Sequence, residues 1–186
     1  TDNATTWLNS SNNKVGCGQT ITESATLTGN ITGCTNSYSF SISSDNVTLD
    51  CAGHTLEGSA ESLNRFIYFS NQNNVTIKNC NISVSGENSF YAIEACAIGG
   101  TCYNISIINN TISAGETTVY LAIADNVTIH NNTIFTHQTT GNASAIASQG
   151  MDFSRITNNT INGAGRTIVF SSSDDHNIIQ YNNITS

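Results

Sequence analysis

Apolar and polar residues alternate along most of the chain in short runs, and the runs recur. Residues 125–134 read DNVTIHNNTI, residues 103–112 read YNISIINNTI and residues 73–82 read NNVTIKNCNI. Shorter copies lie at 154–161 (SRITNNTI) and 177–184 (NIIQYNNI), and a looser one, DNVTLDCAGHTL, at 45–56. Within a copy, Val127, Thr128, Ile129 and His130 alternate with period two, the period of a strand and not of a helix. Each copy predicts a strand, a corner at the Asn-Asn pair, and a second short strand. A third β-rich segment precedes each copy, at 38–44, 65–70, 90–98, 117–123 and 166–171.

Aligning the copies brings Leu49, Ile77, Ile107, Ile129, Ile156 and Ile179 to one phase, at intervals of 28, 30, 22, 27 and 23 residues. Leu27 reads as an earlier rung of the same series. Nothing helical is long enough to return the chain between parallel strands. The economical solution is a coil in which each strand stacks on its equivalent one turn later, an all-β parallel solenoid of six to seven coils. At about 4.8 Å per coil the stack is about 30–35 Å tall. Residues 1–16 do not match the repeat and form an N-terminal arm; residues 17–186 form the solenoid domain. Equivalent isoleucines then stack as internal ladders. The second Asn of each pair (Asn110, Asn132, Asn159, with Asn182 at the same phase) is predicted to stack at the corner as an amide ladder, in the left-handed backbone region that Asn tolerates. The first Asn (Asn109, Asn131, Asn158) is expected to point outward.

Composition supports strands and narrows the function. Asn, Ser and Thr number 27, 23 and 25 of 186 residues, while Ile, Val and Thr together number 54, which favours β over α. Five Lys and Arg against 13 Asp and Glu give a net charge of −8, which excludes a nucleic-acid footprint. No apolar run approaches the roughly 20 residues of a membrane span. No signal peptide opens the chain at Thr1, so if the protein is secreted this is expected to be the mature chain. The six cysteines (Cys17, Cys34, Cys51, Cys80, Cys96, Cys102) form no C-x-x-C motif, and His54, His130, His137 and His176 are scattered, so disulfides fit better than zinc. Disulfides imply an oxidising, extracellular setting. Pairing 17–34 staples the first coil, 51–80 joins one corner of successive coils, and 96–102 closes a local Gly-rich loop; this is one of 15 possible pairings. Thirteen N-x-[ST] sequons occur, at Asn3, Asn9, Asn30, Asn46, Asn74, Asn81, Asn104, Asn109, Asn126, Asn131, Asn142, Asn158 and Asn183. With only 10% charged residues the surface needs another solubilising coat, and N-linked glycan is expected on several of these sequons, Asn109, Asn131 and Asn158 first, in a row along one edge.

The strand–NN–strand repeat resembles the right-handed parallel β-helix repeat of pectin-lyase-like proteins. The opening CGQTITESATLTGNITGC and DNVTLDCAGHTLEG are similar to the first coils of NosD-type and archaeal cell-surface β-helix proteins. The resemblance covers roughly 17–186 and implies right-handedness. It also implies an activity to be weighed, because this fold hosts polysaccharide lyases and glycoside hydrolases that work with clustered carboxylates. Asp174-Asp175-His176 is the acidic pair beside a histidine, with Arg155 and Arg166 one coil earlier and Asp125 and Asp152 as single equivalents. NosD-like proteins are associated with copper, but one methionine (Met151), dispersed histidines and oxidised cysteines make a poor copper site.

The residues therefore point to a structural, extracellular glycoprotein with no catalytic residues, metal or cofactor. It is expected to build a cell-surface filament or layer, partnered by itself head to tail or by other cell-surface proteins. Residues around 1–15 and 166–186 are the expected contact, because the chain reaches Ser186 still inside the repeat. A carbohydrate-active enzyme on the same fold and a glycan-binding adhesion module are the alternatives.

Overall fold

The computed structural model describes residues 7–8, 14–35, 38–59, 64–86, 90–96, 99–139, 143–172 and 174–186. Among these residues there is no helix. The chain winds as a parallel β-solenoid whose three long faces are each a seven-stranded sheet. The first sheet runs from Gln19–Ile21 to Arg166–Phe170, the second from Ala25–Thr26 to Ile178–Gln180, and the third from Ile31–Cys34 to Asn183–Thr185. A three-stranded ribbon (Cys102–Tyr103, Ala124–Asp125, Met151–Asp152) lies between the first and second sheets in the later coils. At the N-terminal end Trp7–Leu8 and Lys14–Val15 pair as an antiparallel hairpin, so the arm forms a strand pair of its own.

The register is one residue to one residue along the second sheet, and shifts once in the third, between Ile31 and Cys34. Leu49, Ile77, Ile107, Ile129, Ile156 and Ile179 pair in succession along the second sheet. The rung before Leu49 is Ala25, not Leu27. The corner after Ala25–Thr26 is wider than the later two-residue corners, so Leu27 falls two positions on, where it is still buried. A second internal stack, Leu56, Ile82, Ile112, Ile134, Ile161 and Ile184, follows the third sheet. Each strand alternates inward and outward side chains, so one aliphatic per strand per coil fills the interior, and β-branched isoleucine suits a stacked, pleated wall.

Three disulfides pin the coils: Cys17–Cys34, Cys51–Cys80 and Cys96–Cys102. Cys17–Cys34 closes the first coil. Cys51–Cys80 ties two successive coils at the corner where Cys80 occupies the phase of the ladder asparagines. Crosslinks of this kind belong to chains that fold in an oxidising compartment. No helix of the described residues is long and apolar enough to cross a membrane.

Candidate functional site: the corners and the open end

The corner between the second and third sheets carries the Asn ladder. Asn110, Asn132 and Asn159 are buried, and their amides chain coil to coil. Asn110 N–H and Nδ2 both donate to Asn132 Oδ1, at 2.9 and 3.0 Å. Asn132 donates in the same way to Asn159 Oδ1, and Asn159 to Asn182 Oδ1. The other Nδ2 hydrogen of each reaches back to a carbonyl of the preceding coil: Ile77, Ile107, Ile129 and Ile156 for Asn110, Asn132, Asn159 and Asn182. The ladder is thus polar along the solenoid axis. Each oxygen serves the coil before it, and each backbone N–H calls on the coil after it. It starts where Cys80 N–H donates to Asn110 Oδ1.

The left-handed residue at this corner is the first Asn, not the second. Asn79, Asn109, Asn131 and Asn158 have φ of 55–58°, and the buried ladder asparagines do not share it. The reason is division of labour. The residue that turns the chain must project outward, while the next residue drops its amide into the interior. A second outward column has the same conformation at the entry to the second sheet: Asn46, Asn74, Asn104 and Asn126, with φ of 56–61°. Their side chains also link, Asn74 Nδ2 to Asn46 Oδ1 and Asn104 Nδ2 to Asn74 Oδ1 at 2.8 Å, and Asn126 Nδ2 to Asn104 Oδ1. Asn131 Nδ2 donates to Asn109 Oδ1 at 2.9 Å. Seven sequons therefore lie in these two outward columns. Asn30, Asn81 and Asn183 complete ten exposed sequon asparagines. Asn3, Asn9 and Asn142 lie outside the described residues, as does most of the arm at 1–16.

The acidic residues also fall into a column. Asp125 pairs in register with Asp152, and Asp175 N–H donates to Asp152 Oδ1 at 2.6 Å, so one aspartate from each of three successive coils lines the same edge. Burial, then the neighbouring Asp152 charge, raises the pKa of Asp125. Asp174 turns elsewhere and accepts from Ser148 Oγ and Met151 N–H. Arg155 and Arg166 are exposed and make no ion pair among the described residues. His176 stacks flat on Phe153, 4.8 Å between centroids. Among the described residues no three His, Cys, Asp or Glu side chains are arranged to hold a metal ion.

One charged group that sequence reading passed over is buried in the first sheet. Glu94 pairs in register with Tyr68 and Tyr120, and its carboxylate, 1% exposed, is ion-paired with Arg65. Burial raises the Glu94 pKa against the opposing Arg65 charge. Burial, and then the Glu94 charge, raise those of Tyr91 and Tyr120. The Arg65 guanidinium lies 5.0 Å from the Tyr68 ring centre, and Tyr91 stacks on Tyr120 at 4.8 Å. These rings use their faces on one another and on Arg65. The group is an aromatic clamp over a buried ion pair, holding three coils together.

The last coil is different. Ile179 and Ile184 end the two internal stacks and are 42% and 45% exposed, whereas Ile156 and Ile161 one coil earlier are at 1% and 0%. The first coil has no such exposure: Ala25 is at 3% and Ile31 at 0%. The outward asparagine columns also change character here. Tyr181 continues the first column, and Phe153 and His176 the second, all with positive φ. Phe153 and Tyr181 are 61% and 78% exposed. An aromatic side chain in this backbone region is strained by about 1–2 kcal/mol, where asparagine is at ease. The shared phase with the Asn columns is the signal by which the sequence could have shown them. No family model, curated protein or solved structure matches the chain.

Proposed function

We propose that the chain is a structural, extracellular glycoprotein, a rigid β-solenoid unit of a cell-surface filament or layer assembled head to tail through solenoid ends. The in-register stack carries this reading: the aliphatics from Leu49 to Ile179 pair coil on coil and Cys51–Cys80 ties two successive coils, which makes a rigid rod. The end of any such rod offers unpaired N–H and C=O groups beside apolar surface, which another β-segment covers. Repeated, such a heterologous contact makes an open filament unless the rotation closes it. Phe153 and Tyr181 add exposed aromatic surface, the residue type enriched in the buried centre of interfaces.

The ten exposed sequon asparagines, seven of them in two outward columns, support a glycan coat. The disulfides support the extracellular setting. The test is electron microscopy of the native surface assembly at a resolution that shows the 4.8 Å strand repeat. Solenoids stacked end to end along a common axis are expected. A native specimen of isolated, unstacked solenoids overturns the reading.

A further inference from the structure

Buried and outward asparagines use their amides differently, and we infer that the outward columns carry N-linked sugar on successive coils, with the amide chain and the sugar sharing each side chain. The inference rests on the glycan coat proposed above, and it names where on the amide the sugar sits and how neighbouring sugars pack. In the buried ladder both Nδ2 hydrogens are engaged: Asn110 donates to Ile77 O and Asn132 Oδ1, and Asn132 to Ile107 O and Asn159 Oδ1. In the outward columns each amide engages one. Asn74 donates to Asn46 Oδ1 and Asn104 to Asn74 Oδ1, Asn126 to Asn104 Oδ1, and Asn131 to Asn109 Oδ1. The second Nδ2 hydrogen of these four has no acceptor among the described residues. The hydroxyls that complete the sequons are stacked as well: Thr48, Thr76, Ser106 and Thr128 pair in register, as do Thr111, Thr133 and Thr160.

Which hydrogen is engaged follows from the repeat. Amides related by one step along the solenoid axis chain through the hydrogen anti to the oxygen, because that N–H and the C=O point in opposite directions, as in a trans peptide. The hydrogen left over lies across the C–N bond from Cβ, and on these exposed side chains it points away from the protein. A secondary amide takes the trans form, so its substituent occupies that same place. Nδ2 displaces the diphosphate from C1 of an activated glycosyl diphosphate, forming the Nδ2–C1 bond and releasing the outer hydrogen as a proton. The hydrogen that holds the chain stays. The axial hydrogen on C1 of a β-linked pyranose lies in the amide plane, and that plane contains the solenoid axis, so the sugar ring lies across the axis. Rings on successive coils then lie face over face at the strand spacing of about 4.8 Å, and neighbouring sites do not exclude one another.

The test uses the full chain secreted from a glycosylating host with isotope-labelled asparagine. Mass spectrometry of whole molecules gives the occupancy of each site, and NMR reads exchange of the single Nδ2 hydrogen left on each glycosylated side chain. Asn74, Asn104 and Asn126 are expected to be occupied together on one molecule. Their Nδ2 hydrogens, and that of Asn131, are expected to exchange at least tenfold more slowly than those of Asn46 and Asn109, which head the two chains and have no Nδ2 acceptor among the described residues. Asn74→Asp keeps an acceptor oxygen without the sequon and leaves Asn104 slow, whereas Asn74→Ala makes Asn104 fast and leaves Asn126 slow. Occupancy confined to alternate coils overturns the inference. So does exchange at Asn74, Asn104 and Asn126 as fast as at Asn46, which shows that the sugar breaks the chain; in both cases the glycan coat stands. A secreted protein with no added mass overturns the coat, and this inference with it.

Discussion

Asn132→Ala in the middle of the ladder isolates what the stacked amides contribute. Asn132 is 2% exposed. Its Oδ1 accepts from Asn110 N–H and Nδ2 at 2.9 and 3.0 Å, and its Nδ2 donates to Ile107 O and Asn159 Oδ1 at 2.8 and 3.0 Å. Alanine removes all four bonds. Asn159 Oδ1 keeps the bond from Asn132 N–H, which the backbone still supplies. Asn110 is left with two buried donors that water does not reach, and Ile107 O loses this donor. At about 1–3 kcal/mol for a buried polar group stripped of its partner, the loss sums to about 3–5 kcal/mol, a large part of the roughly 5–15 kcal/mol of an ordinary domain. Asn182→Ala removes the same acceptor from Asn159, but Asn182 is only half-buried and water can replace it, so about 1 kcal/mol is expected. Urea unfolding with the disulfides intact gives both values, and amide exchange at Asn110 should quicken in Asn132→Ala. If Asn132→Ala costs no more than Asn182→Ala, the ladder is a passive filler and the reasoning fails.

The Cys51–Cys80 crosslink closes 29 residues, so Cys51→Ser with Cys80→Ser should lower stability by about 3–4 kcal/mol on the chain-entropy scale, while Cys96→Ser with Cys102→Ser, closing 6, should cost about 2 kcal/mol; calorimetry ranks them, and the reverse order refutes the loop argument. Glu94 holds its proton to higher pH folded than unfolded, so the native state binds more protons in the window from the ordinary glutamate value of 4.5 up to its raised value, and stability falls as pH rises through it. Asp50 works the other way: burial raises its pKa, but hydrogen bonds from Asn79 and Ala52 and the Lys78 charge outweigh this and lower it, giving stability that is lost as pH falls through the lowered value. Glu94→Gln should flatten the first slope and leave the second, as read by Tm against pH. Secreted from a glycosylating host, the protein should show an intact mass above its 19.7 kDa polypeptide that returns to that value on enzymatic deglycosylation; a mass equal to the polypeptide at the outset rejects the coat.

Local alternation and recurrence were enough to determine the coil. Val127-Thr128-Ile129-His130 can only be a strand with one face inside, and the repeated phase of Leu49 through Ile179 then forces those side chains into one stack, because shifting a strand by one residue would turn its whole apolar face outward. The Cys51–Cys80 crosslink follows from the same phase, since both residues lie at one corner of consecutive coils. Other features depend on how far apart in sequence two neighbours in space lie. Arg65, Tyr68, Glu94 and Tyr120 come from three coils of unequal length, so nothing local shows that a carboxylate is buried against a guanidinium there. Asp125, Asp152 and Asp175 read as unrelated single acids until the register lines them up. Which Asn of a pair turns the chain, and whether Ala25 or Leu27 starts the stack, were decided by the width of each corner and by hydrogen bonds from the coil above, which no single repeat contains.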